Sequence, residues 1–233
     1  MTSYFSGPLP GAGGVNFVAD HSTSVTAETT ILLVRHGETP WNRAGRIQGW
    51  APTRLTDRGR QQASRLGQVL AAEYDIDRLV SSDLSRTRET TAQIRQGGVD
   101  ATPVFDRSWR ERHMGIYQGF TREDLHARFP SFAIENGAVA LEETPEGGEA
   151  FGELYDRIQT GWSQLCDDAD SETVVVVTHG GPITVVLAAL KGQDLITAVE
   201  EHHISNCSVT AVRPAKNDIL RENVQPFDNP SDS

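Results

Sequence analysis

ILLVRHG (Ile31–Gly37) and TVVVVTHGGP (Thr173–Pro182) decide how this chain folds. Each opens with a short, uninterrupted apolar run, the pattern of a strand buried on both faces. Each run ends in His-Gly. In the second a helix follows at once, with Pro182 in its first turn and Lys191-Gly192 at its end. Working outward, Thr56 caps a helix to about Glu73, with Ala63, Leu66, Val69 and Leu70 on one face. Arg78–Ser82 reads as a strand, Ser85 to Gln96 as a short helix stopped by Gly97-Gly98, and Pro103–Phe105 as a weak strand. Thr121 with Asp124 resembles a capping box for a helix toward Phe129. Glu149 to Cys166 is an amphipathic helix after a PEGG loop, and Cys207–Val212 and Ile219–Val224 are late strands. Strands alternating with helices predict an α/β fold with a mostly parallel sheet covered on both faces. Ligand sites in such sheets lie at the carboxyl ends of the strands, which is where both His-Gly pairs fall.

The rest of the 233 residues sets bounds. Residues 1–30 carry Gly, Pro, Ser and Thr without periodicity and read as a flexible extension or the product of an upstream start codon. Residues 31–224 form the domain, and QPFDNPSDS (Gln225–Ser233) is a short flexible tail. The longest apolar run, near Val185–Leu190, is far too short to span a bilayer. No Lys or Arg precedes Arg35, so no signal peptide is expected. Cys166 and Cys207 are too few for a disulfide framework, and a cytoplasmic location follows as the simplest expectation. Net charge is −11, which disfavours nucleic-acid and anionic-membrane partners. Of 21 basic residues only Lys191 and Lys216 are lysine, the other 19 being arginine. A high-salt cytoplasm or a GC-rich genome would each produce that bias.

Two histidines at one sheet rim can converge on one ligand. The glycines beside them let a ligand approach the backbone, and the helix from Pro182 aims free N–H groups at an anion. Arg35 precedes His36, and Arg86 lies just past another strand end. Arginine's planar fork suits phosphate oxygens. Asn42 and Gln48 add neutral hydrogen-bonding groups. Arg88 is better read as a surface arginine paired with a nearby glutamate. His202 and His203 are expected on the surface, with structural or incidental roles. No carboxylate or cysteine stands at metal-ligand spacing from His36 or His179, and HExxH is absent, so no metal and no cofactor are expected.

RHGETPWN (Arg35–Asn42), RIQGW (Arg46–Trp50), LTDRGRQQA (Leu55–Ala63), SSDLSRTRETT (Ser81–Thr91), ERHMGIYQG (Glu111–Gly119), TPEGGEAF (Thr144–Phe151) and VTHGG (Val177–Gly181) follow in order. This set resembles the histidine phosphatase superfamily, also called phosphoglycerate mutase-like, over roughly residues 31–213. The resemblance implies a three-layer αβα sandwich and a phosphohistidine mechanism. His36 would be the nucleophile, neutral, with Nδ1–H bonded to a backbone carbonyl or similar acceptor. Arg35, Arg86 and His179 would surround the phosphoryl group, His179 protonated or at least offering an N–H. Asn42 matches a phosphate contact and Gln48 a position near the substrate, with Gly49 and Gly180 beside the site as substrate-binding positions. Glu111 would be the general acid and then the base for water.

Mutases and phosphatases of this kind share the phosphohistidine and differ in the segment after Glu111. A mutase there needs extra cations to hold a carboxylate-bearing intermediate. Thr121–Phe151 offers only Arg122 and Arg128 against Glu123, Asp124, Glu135, Glu142, Glu143, Glu146 and Glu149. PEGGEAF also looks phosphatase-like, whereas ERHMG looks mutase-like. A phosphomonoester hydrolase is favoured over a mutase, and both over a non-catalytic phospholigand binder. The expected partner is a small phosphorylated metabolite, with a phosphoprotein as the alternative; the oligomeric state is open. Trp41, Trp50, Trp109 and Tyr117 are read as packing, with Trp109 and Tyr117 also able to shape a pocket.

Overall fold

The computed structural model describes residues 28–132 and 143–226. Six strands form one sheet: β1 (Thr30–Arg35), β2 (Arg78–Ser81), β3 (Pro103–Phe105), β4 (Thr173–Thr178), β5 (Val209–Arg213) and β6 (Asp218–Val224), in the order β3-β2-β4-β1-β5-β6. β3, β2, β4 and β1 run parallel, and β5 and β6 are antiparallel additions beyond β1. The valines of β4 are buried without exception because the strand lies between β2 and β1 and is covered on both faces.

The two faces alternate along each strand. Leu32, Val34, Leu79, Val175 and Val177 pack with Ala63, Leu66, Leu70 and Ile94 of α2 (Asp57–Glu73) and α3 (Ser85–Gln96). Ile31, Leu33, Val174 and Val176 pack with Leu154, Ile158, Ile183 and Val186. Those four belong to α5 (Phe151–Asp168) and α6 (Gly180–Lys191). The result is a three-layer αβα sandwich. Helix α6 is apolar on almost every side and is buried from Pro182 to Ala188, as a helix with no polar face must be. Short helices α1 (Pro40–Arg43), α4 (Arg122–Arg128) and α7 (Leu195–Glu201) lie in the connections.

Helix starts follow local chemistry. The Thr56 hydroxyl accepts from Gly59 N–H at 3.0 Å and that of Thr121 from Asp124 N–H at 3.0 Å. The late strand expected from Cys207 starts at Val209, because Cys207 has φ 53, which no strand accommodates. The chain is ordered from before residue 31: Thr30 opens β1, and the Thr29 hydroxyl donates to Ala169 O at 2.9 Å. Gln225 likewise donates to Asn206 O at 2.9 Å rather than starting a free tail. The remainder of the expected extension (1–27) and tail (227–233), together with 133–142 and the acids Glu135 and Glu142, lie outside the described residues. Among the described residues no helix is long and apolar enough to cross a membrane.

Helices α2 and α3 touch backbone to backbone: a Cβ on Gly67 would lie 2.3 Å from Ile94 O. Gly67→Ala gains helix propensity yet must force the two helices apart. A net loss of about 1–3 kcal/mol in urea unfolding is expected. Gly152→Ala, where a Cβ meets nothing within 4 Å, should instead stabilise by about 0.4–1 kcal/mol. Equal effects at the two positions would contradict this packing.

Candidate active site

The carboxyl ends of β2, β4 and β1 lie side by side on one rim. The β1–β4 register pairs Arg35 with Thr178, so the next residues, His36 and His179, are neighbours. Their ring centroids are 5.2 Å apart, and the residues are 2% and 0% exposed. Because β5 runs antiparallel to β1, its amino end reaches the same rim and brings Asn206 with it.

His36 Nδ1 lies 2.8 Å from Gly37 O. A carbonyl only accepts, so Nδ1 carries the proton and Nε2 keeps its lone pair. Nε2 has no hydrogen bond among the described residues. The residue's own carbonyl accepts from Asn206 Nδ2 at 2.9 Å, and its N–H donates to Thr178 O at 3.0 Å. Burial first, then the guanidiniums of Arg86 and Arg35, holds the ring's pKa well below the ordinary histidine value. The ring is neutral.

Arg86 is 1% exposed and has no carboxylate partner among the described residues. Its Nη2 donates to Gly49 O at 2.7 Å and its Nη1 to Ala51 O at 3.4 Å. Burial lowers its pKa to about 10, against the opposing pull of Glu111, so it stays charged at neutral pH. Arg35 Nη1 donates to Ile204 O. Among the described residues four buried side-chain polar atoms lack a partner, and three are Arg35 Nε, Arg86 Nε and His179 Nδ1. Each such orphan costs about 1–3 kcal/mol, and the two guanidinium N–H groups are donors that an anion can satisfy.

Glu111 faces this cluster. Its Oε1 accepts from Arg112 N–H at 2.9 Å and its Oε2 from Gly181 N–H at 3.2 Å. A Cβ on Gly181 would stand 2.3 Å from Oε1, so the carboxyl group can dock on α6 only over a glycine. The loop is held from behind. Arg157 forks onto Glu149 at 2.9 and 2.8 Å and donates to the carbonyls of Ser108 and Arg110 at 2.7 and 2.9 Å. Trp50 Nε1 donates to Glu111 O at 2.6 Å. Arg110 lies over the Trp50 ring at 4.4 Å and pairs with both oxygens of Asp83, at 2.5 and 2.7 Å.

Asn42 and Gln48 meet through Thr39. Asn42 Oδ1 accepts from Thr39 N–H at 3.1 Å, and the Thr39 hydroxyl lies 3.0 Å from both Asn42 Oδ1 and Gln48 Oε1. Thr53 donates to the same Gln48 oxygen at 2.7 Å. With both oxygens engaged, the amide N–H groups, free of hydrogen bonds among the described residues, are the ends left for a ligand.

Several sequence expectations change. His179 is not an imidazolium: burial, then Arg86, His36 and Arg35, depresses its pKa well below the ordinary value. It remains able to offer one N–H. Gly49, at φ 49, supports Arg86 through its carbonyl. At Gly180 a Cβ would meet only Arg35 Nε at 4.0 Å, whereas at Gly181 it would meet the Glu111 carboxyl group. Trp109 is 1% exposed in the core, and the Tyr117 ring packs on Phe129. Arg88 pairs with no glutamate; it donates to Asp83 O at 2.8 Å and covers the Phe105 ring. His202 has a side chain only 5% exposed and pairs with Glu222 at 3.2 Å. Thr39, Ser82, Asn206 and Arg157 escaped the sequence reading. Ser82 follows β2 and obeys the same strand-end rule as the histidines, whereas nothing local marks Asn206 or Arg157.

A neutral imidazole with a free Nε2 lies beside guanidiniums that have no carboxylate partner among the described residues, at the strand ends of an αβα sandwich, and such a site suits phosphoryl groups. The family model of the histidine phosphatase superfamily (branch 1) matches residues 31–223, and the chain belongs to that superfamily. Among its relatives, phosphoglycerate mutase-like protein 4 of Arabidopsis thaliana is 37% identical over 184 residues, covering 78% of each chain. A metal-independent phosphoserine phosphatase of the same plant is 35% identical over 159 residues, covering 68% of this chain and 67% of its own. The solved structure of YhfR from Bacillus stearothermophilus superposes with a TM-score of 0.69 at 33% identity, covering 78% of this chain and 90% of its own.

The two buried imidazoles carry a pH signature. Their native pKa values lie well below the unfolded value of about 6.5, so below that pH the unfolded chain binds protons that the native state refuses. Stability is therefore complete above pH 6.5 and falls as pH drops, by up to about 1.4 kcal/mol per pH unit for each ring. Urea titrations from pH 7 to 5.5 should show this slope, and a His36→Asn/His179→Asn double variant should flatten it. An unchanged slope in the variant would refute the buried, neutral pair.

Proposed function

We propose that the protein is a phosphomonoester hydrolase working through a phosphohistidine on His36. Nε2 attacks phosphorus in line as the ester P–O bond breaks, and the departing oxygen takes a proton from Glu111. Arg35, Arg86, His179 and the amides of Asn42 and Gln48 hold the equatorial oxygens. Water, giving its proton back to Glu111, then attacks phosphorus. The P–N bond breaks, phosphate leaves and the Nε2 lone pair is restored. The guanidiniums supply the positive charge that the transferring group needs.

The observation that carries hydrolysis over transfer is how the arginines around Glu111 are spent. Arg110 is committed to Asp83, Arg157 to Glu149, and Arg112 to the carbonyls of Glu149 and Glu143. Arg128 lies over the Phe120 ring at 5.0 Å. Arg122, exposed at the start of α4, has no partner among the described residues. One exposed cation is a poor trap for a doubly anionic intermediate that must turn over before water reaches it. The burial of His36 at 2% favours a small phosphorylated metabolite over a phosphorylated side chain on a folded protein. The mutase reading draws on the relative named phosphoglycerate mutase-like and on Arg112-His113 directly after Glu111.

Phosphate release from a panel including 3-phosphoglycerate and phosphoserine, with wild type beside His36→Ala, tests this reading. Release by wild type alone is expected. Release by both proteins would remove His36 from the mechanism, and interconversion of phosphoglycerates on a bisphosphate primer, without release, would assign the mutase. Glu111→Gln should slow alkyl esters by about 10²–10⁴-fold, the usual worth of a general acid, and p-nitrophenyl phosphate far less. Equal loss on both ester types would remove the acid role.

A further inference from the structure

Ser82 is the first residue after β2 and is fully buried. Its backbone is tied down: the N–H donates to Val177 O at 2.9 Å, and the carbonyl accepts from the Thr87 hydroxyl at 2.8 Å. Its Oγ lies 2.9 Å from His179 Nε2, and Leu84 N–H points at that oxygen at 3.5 Å. The other ring nitrogen, Nδ1, is buried and has no partner among the described residues. The phosphohydrolase reading uses His179 but leaves open which nitrogen carries its single proton.

A count of donors and acceptors decides it. Suppose Nε2 carried the proton. Ser82 Oγ would then accept, and its own hydroxyl proton, in a fully buried residue with no other acceptor in reach, would be stranded. Nδ1 would present a bare lone pair although Arg35 Nε and Arg86 Nε, themselves without partners, do not reach it. Suppose instead that Ser82 donates to Nε2. The hydroxyl proton is used, its oxygen still accepts from Leu84, and the one group left over is an Nδ1–H. That N–H shares the rim with the two orphaned guanidinium N–H groups. The first arrangement strands a donor and an acceptor, and the second strands one donor where an anion is to bind.

We propose that Ser82 is a positioning residue that locks neutral His179 as the Nδ1–H tautomer, making it a hydrogen-bond donor to a phosphoryl oxygen without a positive charge. The proposal rests on the phosphotransfer reading for its ligand, but the tautomer itself belongs to the ligand-free protein. A neutral donor has a use here. Arg35 and Arg86 already place two positive charges in a buried site, and a third beside them would also draw electron density from the His36 nucleophile 5.2 Å away.

Long-range ¹H–¹⁵N correlation spectra of uniformly labelled protein at pH 7.5 test the proposal directly, with His179→Asn assigning the resonances. Wild type should show His179 protonated at Nδ1 alone. Ser82→Ala should shift the tautomer ratio roughly three- to tenfold toward Nε2–H, the worth of one hydroxyl hydrogen bond, and Ser82→Thr should restore it. Inorganic phosphate should move the Nδ1 proton of wild type. With p-nitrophenyl phosphate, kcat should fall in Ser82→Ala by a factor similar to the loss of the Nδ1–H form and recover in Ser82→Thr. An Nε2–H ring in wild type, an imidazolium at that pH, a tautomer indifferent to Ser82→Ala or an Nδ1 proton indifferent to phosphate would overturn it. Should Ser82→Ala unfold, the wild-type spectrum alone still decides the tautomer. Activity persisting in His36→Ala would defeat the hydrolase reading and leave this measurement intact.

Discussion

The parallel register of β1 on β4 is the constraint on which the site depends. Pairing Arg35 with Thr178 sets His36 beside His179, and a slip of one residue would turn one of the two imidazoles to the opposite face. The slip is prevented by burial on both sides. Leu32 and Val34 must face α2 and α3 while Ile31 and Leu33 face α5 and α6, and every valine of β4 is equally committed. The hydrophobic core thus fixes, to a fraction of a side chain, where the chemistry sits.

On that rim the protein accepts an electrostatic cost. Among the described residues, the buried Arg86 and the half-buried Arg35 lie against backbone carbonyls without a carboxylate fork, and the Nε–H of each has no partner. Replacing those carbonyl contacts by an aspartate would stabilise the free protein and spoil its attraction for a phosphoryl dianion. Burial first, and then the same field, keeps both imidazoles neutral. Elsewhere in the molecule arginines are paired in the ordinary way, as Arg110 is with Asp83 and Arg157 with Glu149. The contrast is local and lies where the ligand must go.

Glu111 is placed by a different device. It comes from an irregular loop, so its position depends on what grips that loop. Arg157 holds three successive carbonyl regions from behind, Trp50 takes the Glu111 carbonyl, and the N-terminus of α6 receives the carboxyl group over Gly181. Rigid strands position His36 and His179, and a stapled loop positions Glu111, an arrangement that lets the loop side vary without disturbing the strand-end side.

Much of this was legible in the chain. Periodicity placed the helices from Thr56, Ser85 and Pro182 and the buried strands at Ile31 and Thr173, because those signals are local. His36, Arg35, Arg86 and His179 announced themselves by following strand ends. The late strands were placed less well, since the left-handed turn at Cys207 has no compositional mark. Asn206 and Arg157 were invisible for a deeper reason. Asn206 reaches His36 only because β5 runs antiparallel to a strand 170 residues earlier, and Arg157 acts from a helix on carbonyls nearly 50 residues away. Nor could sequence say that Gly181 rather than Gly180 takes Glu111, or that His179 is neutral. The chain by itself determined the apolar core, the main regular segments and the presence of Arg35, His36, Arg86 and His179 at the rim. Their contacts, their charge states and the choice between adjacent glycines were decided by tertiary structure, because hydrogen-bond partners and desolvation are properties of neighbours in space.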